Sequence, residues 1–200
     1  MQRGEIIDAI AATRNDAIAV ISPGVSSGLM WNSGPHPATI YQMELGYTMA
    51  VAYGIALGQP ERRVIAVDGD GSFFAGIQLL GTLARFPAKN LIIVVVANGI
   101  WGTGDADVAT SPGDAAQLAE IARGCGLPAE RVVVSQDPQA LQAALARAHR
   151  EPGPWLFVAC AERSELDRSG IRPRPLVDAV ESVDLTRRYL RGGAFANNAR

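Results

Sequence analysis

Two short segments of this 200-residue chain carry residue types that do chemistry: Gly69-Asp70-Gly71-Ser72, and the stretch from Asn98 to Gly104. The first follows an apolar run, Val64-Ile65-Ala66-Val67, and precedes a helical pattern. Its glycines let backbone N–H groups approach a phosphate closely, and a helix start favours an anion. Asp70 adds a hard carboxylate oxygen of the kind magnesium prefers. A carboxylate beside a phosphate is electrostatically unfavourable unless a cation lies between them. The pattern therefore suggests Mg²⁺ bridging protein and diphosphate, with Asn98 offering a neutral amide oxygen to the same ion. Taken singly, each segment is also an ordinary turn, since Asp-Gly and Asn-Gly are common turn dipeptides. Together they constrain each other. The 26 residues from 72 to 97 hold one helix and one strand, a βαβ interval that returns the chain to the same sheet edge.

The elements that must position these segments alternate along the chain. Helical spacing runs over 4–13, 46–57, 76–86, 115–125, 138–149 and 183–190. Short apolar runs at 17–21, 64–67, 91–97, 131–134 and 155–159 read as buried strands, with Leu91–Ala97 the most apolar and so the most central. Three glycines and three prolines make 22–37 a loop by composition, and 162–175 reads as a polar linker. Strands alternating with helices predict an α/β fold, a doubly wound parallel sheet with helices on both faces. Ligands in such a sheet sit beyond the carboxyl ends of the strands, where both glycine-rich segments fall. A single domain is expected over 1–190, with 191–200 a frayed tail.

Composition removes other classes. Hydrophobic residues are 48% and charged residues 19%, too apolar for a disordered chain. The net charge of −2, with scattered arginines and a single lysine at Lys89, excludes a nucleic-acid binder working through a basic field. Cys125 and Cys160 cannot form a disulfide framework or a zinc cluster, and they read as small core residues. No leader or spanning segment is evident, so a cytoplasmic protein with no membrane partner is expected.

Gly69-Asp70-Gly71, the interval and Asn98 resemble the thiamine diphosphate motif of the decarboxylase-type thiamine enzymes. Ser72, Gln78 and Trp101 agree with that motif. The opening Met1–Ile7 and the Gly24–Ser27 loop are similar to the beta subunit of sulfopyruvate decarboxylase and to the matching half of phosphonopyruvate decarboxylase. The resemblance thus extends over nearly the whole chain. It implies the thiamine diphosphate-binding fold, with Asp70, Asn98 and the Ile100 carbonyl holding Mg²⁺. Gly69, Gly71 and Ser72 would contact the diphosphate, and Trp101 would line the cofactor cleft. The Met43 carbonyl would accept from the aminopyrimidine, and Leu45 would support the bent cofactor. The implied reaction is decarboxylation of a small 2-oxo acid such as sulfopyruvate or phosphonopyruvate. The activating glutamate would come from a pyrimidine-binding alpha subunit, in a hetero-oligomer with two or more of each chain. Two departures are Ala97, where relatives often carry a polar residue, and Glu44, where they usually carry a small one.

Alternatives remain at this level. The same site serves carboligation of the acetolactate synthase type. A ferredoxin-linked oxidoreductase is disfavoured because only two widely spaced cysteines are present. A non-catalytic interaction subunit would retain the fold but not the intact Asp70 and Asn98. Glu44 and His36 are the candidate catalytic side chains, Glu44 as a substrate-facing acid and His36 as a proton shuttle at the sheet's working edge. The alternatives are an ordinary helix-start carboxylate for Glu44 and an exposed loop histidine for His36. His149 reads as a helix C-terminal residue compatible with the dipole. Arginines appear remote from the active segments, Arg62 and Arg63 standing at a strand's far end. A cation for a second substrate anion is therefore expected from the partner.

Overall fold

The apolar runs become strands because each fully buried aliphatic side chain contributes about 1.5–3 kcal/mol on leaving water. A computed structural model describes residues 1–103, 106–110, 115–163 and 173–192. In chain order they form α1 (Arg3–Thr13), β1 (Ile18–Ile21), α2 (Val25–Asn32), β2 (Thr39–Ile40), α3 (Thr48–Gly58) and β3 (Val64–Gly69). There follow α4 (Asp70–Ala75), α5 (Leu79–Arg85), β4 (Leu91–Ala97), β5 (Ile100–Thr103), β6 (Ala106–Ala109) and α6 (Ala115–Gly124). The last are β7 (Val132–Ser135), α7 (Pro138–Ala148), β8 (Trp155–Cys160) and α8 (Ala179–Leu190).

Six strands make one sheet in the order β2-β1-β3-β4-β8-β7, and every neighbouring pair is parallel. The expected doubly wound sheet is present, and β4 is buried along its whole length. Side-chain alternation sorts the core onto two faces. Ile18, Val20, Val64, Ala66, Ile93 and Val95 pack with Met49 and Ala52 of α3 and with Leu118 and Ala122 of α6. Ala19, Ile21, Ile65, Val67, Ile92 and Val94 pack with Ile6 and Ile10 of α1 and with Leu141 and Leu145 of α7. From β1 the chain moves outward to β2, then crosses back to β3 on the other side. That reversal opens a crevice beyond the carboxyl ends of β1 and β3. No described helix is long and apolar enough to cross a membrane.

Several expectations are corrected. The segment 22–37 is not a plain loop, because it contains α2, and β2 follows it. Its small residues are a close-packing surface. A Cβ at Gly28 would lie 2.0 Å from the Pro173 carbonyl oxygen, so only glycine admits that backbone. The helix expected at 76–86 is the shorter α5, starting at Leu79, and an unexpected helix, α4, precedes it directly from Asp70. The stretch after Asn98 forms the antiparallel β5–β6 hairpin, although Gly104 lies outside the described residues. The last helix starts earlier than expected because Asp178 caps it, accepting from the Glu181 N–H at 2.7 Å. Cys125 is exposed and Cys160 half-buried, so neither is a core residue. Most of the expected linker and tail, 164–172 and 193–200, lies outside the described residues.

Candidate cofactor site

β3 runs straight into α4, so Asp70 is a helix-start residue on the carboxyl edge of the sheet. Its side chain is 3% exposed. One oxygen accepts from its neighbour Gly71 N–H at 2.9 Å. The other accepts from Gly99 N–H at 2.7 Å and from Thr110 Oγ1 at 3.0 Å. The Gly99 bond joins the two glycine-rich segments that the βαβ interval was expected to bring together. Gly99 makes it from φ +73°, a conformation that favours glycine. Burial pushes the Asp70 pKa up, opposed by the bonds from Gly99, Thr110 and Gly71 and by the positive charge of Arg3.

Asn98 and Ile100 line the same cavity of about 90 Å³, together with Leu45, Ser72 and the Ser22–Val25 loop. Asn98 Oδ1 accepts from Ile100 N–H at 3.1 Å, which curls the loop around its amide. Trp101 closes over Gly71, where a Cβ would stand 2.6 Å from the indole Cγ. Gly69 is open, since a Cβ there would meet nothing within 4 Å. Ser72 Oγ accepts from Gly46 N–H at 2.9 Å and so fixes the turn that presents Leu45. All the metal and diphosphate residues expected from the sequence therefore line one cavity.

The remaining expected residues divide. Met43 N–H donates to the Ile21 carbonyl at 2.9 Å, which places it beside the carboxyl end of β1. Glu44 is exposed and accepts from Leu45 N–H at 3.0 Å, outside the cavity wall. Gln78 is an exposed residue just before α5. His36 is not at the working edge. It precedes β2 and therefore lies at the amino edge, where its Nδ1 accepts from Ala38 N–H at 3.0 Å. The error follows from reading 22–37 as one loop, since α2 carries the chain back to the opposite edge before His36.

Three residues at the site were missed by sequence reasoning. Arg3, at the start of α1, lines the cavity, so a cation does stand near the active segments. Thr110 reaches Asp70 from beyond β6, and nothing in the sequence spacing signals it. Asp68 is fully buried, and neither carboxylate oxygen has a hydrogen-bond partner among the described residues. Burial pushes its pKa up to about 7, offset in part by the surrounding Ser72, Gly69, Ser22 and Thr48 groups. An acid at the end of an apolar strand run was the available signal.

Hard oxygen donors fit Mg²⁺ here. No group of three His, Cys, Asp or Glu side chains stands together among the described residues. The donor set is one carboxylate with amide and carbonyl oxygens, which leaves positions for phosphate oxygens and water, as magnesium commonly requires. Among the described residues, the buried Trp101 indole N–H finds no acceptor and the buried Thr48 hydroxyl no partner.

The family described as "Thiamine pyrophosphate enzyme, C-terminal TPP binding domain" matches residues 30–159. Sulfopyruvate decarboxylase subunit beta of Methanococcus maripaludis is 28% identical over 163 residues, 80% of this chain and 84% of that one. Phosphonopyruvate decarboxylase of Streptomyces viridochromogenes is 31% identical over 90% of this chain, which spans only 43% of that protein. A solved structure from Mycobacterium smegmatis, described as a thiamin diphosphate-dependent enzyme, superimposes with a TM-score of 0.66 at 26% identity. The match covers 82% of this chain and 32% of that one.

Proposed function

This chain belongs to the thiamine pyrophosphate enzymes through their C-terminal TPP-binding domain, and from that premise we propose that it is the diphosphate- and magnesium-binding subunit of a 2-oxo acid decarboxylase. The observation that carries the reading is the buried Asp70 carboxylate tied to Gly99, with Asn98 and Ile100 on the same cavity wall. Asp70, Asn98 Oδ1 and the Ile100 carbonyl would hold Mg²⁺. Gly69 and Gly71 let the diphosphate approach the backbone, and Ser72 fixes the neighbouring turn. Leu45 gives the cavity an apolar wall. When bound, the cofactor supplies the electron sink that lets the substrate carboxylate leave as CO₂.

Asp70 is the only acid on the cavity wall among the described residues, and this reading commits it to the metal. A separate carboxylate must then activate the cofactor, and Glu44 is exposed and not among the described wall residues. A pyrimidine-binding alpha partner would supply it, in keeping with the "subunit beta" name of the Methanococcus relative. Tyr47 and Leu57 of the α3 region are 61% and 57% exposed, apolar surface suited to such a partner. The substrate would be a small 2-oxo acid of the sulfopyruvate or phosphonopyruvate kind.

The test is calorimetry of thiamine diphosphate binding, followed by CO₂ release from sulfopyruvate, phosphonopyruvate and pyruvate after co-expression with a pyrimidine-binding chain. Binding should require Mg²⁺ and vanish with EDTA, and CO₂ release should require both chains. Tight binding in EDTA, or full turnover by this chain alone, overturns the proposal. A condensation product in place of the aldehyde assigns the site to carboligation instead.

A further inference from the structure

The first turn of α1 brings a guanidinium to the cofactor cavity. Arg3 lines it with Asp70, Gly71 and Asn98, and it is the only lysine or arginine among the described wall residues. Its charge is felt by Asp70, whose pKa it pulls down against burial. The turn that carries it is fixed at several points. Glu162 N–H, just past the carboxyl end of β8, donates to the Met1 carbonyl at 2.9 Å. Gln2 Nε2 donates to Glu162 Oε2 at 2.6 Å, and Gln2 N–H to Glu5 Oε2 at 2.7 Å. The backbone position of Arg3 is therefore set by the sheet edge that builds the site.

A diphosphate and Asp70 together carry more negative charge than one divalent ion neutralises. A guanidinium beside them offsets part of that charge together with the cofactor's own thiazolium, and Arg3 is the one lysine or arginine on the described wall. On the thiamine reading above, we propose that Arg3 donates to a diphosphate oxygen, so that α1 is part of the cofactor site. Arginine suits this because its planar fork matches phosphate oxygens and stays charged at any working pH. A phosphonate or sulfonate on the substrate offers the same oxygen chemistry, and the experiment separates the two sources.

Wild type, Arg3→Lys, Arg3→Gln and Arg3→Ala would be titrated with thiamine diphosphate and with inorganic pyrophosphate, both with Mg²⁺. Titrations would use the full chain and its co-expressed complex, with thermal midpoints measured without ligand. Arg3→Ala and Arg3→Gln should weaken both ligands about tenfold to a hundredfold. Arg3→Lys should keep part of the affinity, and the loss should shrink at high salt. Unligated midpoints should move little. Wild type that binds neither ligand overturns the thiamine reading and this inference together. Wild type that binds, beside an Arg3→Ala that binds equally tightly, overturns this inference alone. Should cofactor affinity persist while the loaded complex loses only phosphonopyruvate, the oxyanion belongs to the substrate and the diphosphate contact is wrong.

Discussion

Both ends of the parallel sheet bury polar side chains, but they use them differently. At the amino edge Arg14 is 6% exposed, and its two Nη groups donate to Thr39 Oγ1 at 2.8 Å, the Ala17 carbonyl at 2.8 Å and the Ala38 carbonyl at 3.2 Å. Asn90 Nδ2 similarly reaches the carbonyls of Ala56, Gln59 and Arg62 at 2.8–3.0 Å. These groups are consumed in stitching chain segments where they enter strands. At the carboxyl edge neither Asp68 oxygen nor the Thr48 hydroxyl has a hydrogen-bond partner among the described residues, and Asp70 borders a cavity. An unpartnered buried polar group costs about 1–3 kcal/mol, so a fold keeps such groups where something else repays them. Cavity size alone would mislead. The amino-edge groove beside Asp16, Arg63 and His149 is about 770 Å³, against about 90 Å³ at the cofactor site. The amino edge also keeps buried nitrogens without a partner among the described residues, at Arg14 Nε, His149 Nε2 and Trp155 Nε1, so an unpartnered carboxylate beside a cavity, not volume, marks the site.

Removing Asp70 should break this contrast most severely. Asp70→Ala leaves the diphosphate facing no held cation, and thiamine diphosphate affinity should fall about a hundredfold or more. Calorimetry at saturating Mg²⁺ checks it. Unchanged affinity would make Asp70 another stitching residue and erase the difference between the edges.

Asp68 comes next, and its signature is a pH slope. In the unfolded chain this carboxyl ionises near pH 4, whereas in the cofactor-free fold it holds its proton up to about 7. Folding stability is therefore fully present below pH 4 and declines as pH rises towards 7, above which the cost is constant. The full effect is bounded at about 4 kcal/mol. Asp68→Asn removes this titration. Denaturant midpoints should show the variant gaining on wild type from pH 4 to pH 7 and then running parallel. A constant gap over that range would mean that Asp68 is ionised and paired.

How much of this was legible in the sequence depends on whether the information is local. Asp70 and Asn98 could be read because a fixed interval of one helix and one strand brings two turn-like segments to one edge. The order of layers could be read from alternating apolar runs. Arg3 could not, because its position at the cavity depends on Glu162 holding the first turn from the other end of the chain. His36 was misplaced because small residues that signal a loop form α2 here, with Gly28 packed tightly against Pro173. Thr110 reaches Asp70 only through the hairpin, whose strands were not separable from a glycine-rich loop.

At the amino edge the expected effect is on folding alone. Arg14→Met removes the donors to Thr39, Ala17 and Ala38 and should cost about 2–3 kcal/mol of stability. Thiamine diphosphate affinity should stay within twofold of wild type. A variant that folds normally yet loses the cofactor would show that the two edges are coupled, and the division drawn between them would fail.

His36 should give the smallest effect, and it tests the same division from the side of catalysis. Its pKa is lowered by burial first and by the Arg14 charge second, with Asp16 pulling the other way. The ring is thus neutral near pH 7, and its Nδ1 is already taken as an acceptor for Ala38 N–H. A proton shuttle for substrate would need a free nitrogen at the carboxyl edge, and this ring stands at the other one. His36→Ala should therefore cost about 1 kcal/mol of stability and leave kcat and KM of the complex unchanged. Because the folded pKa is depressed, the histidine's contribution is present above pH 6.5 and lost as pH falls through its lower folded value. Wild type should lose stability faster than His36→Ala on that acid side. A kcat that drops tenfold with an altered pH profile would return His36 to the chemistry and place a functional group on the scaffold edge.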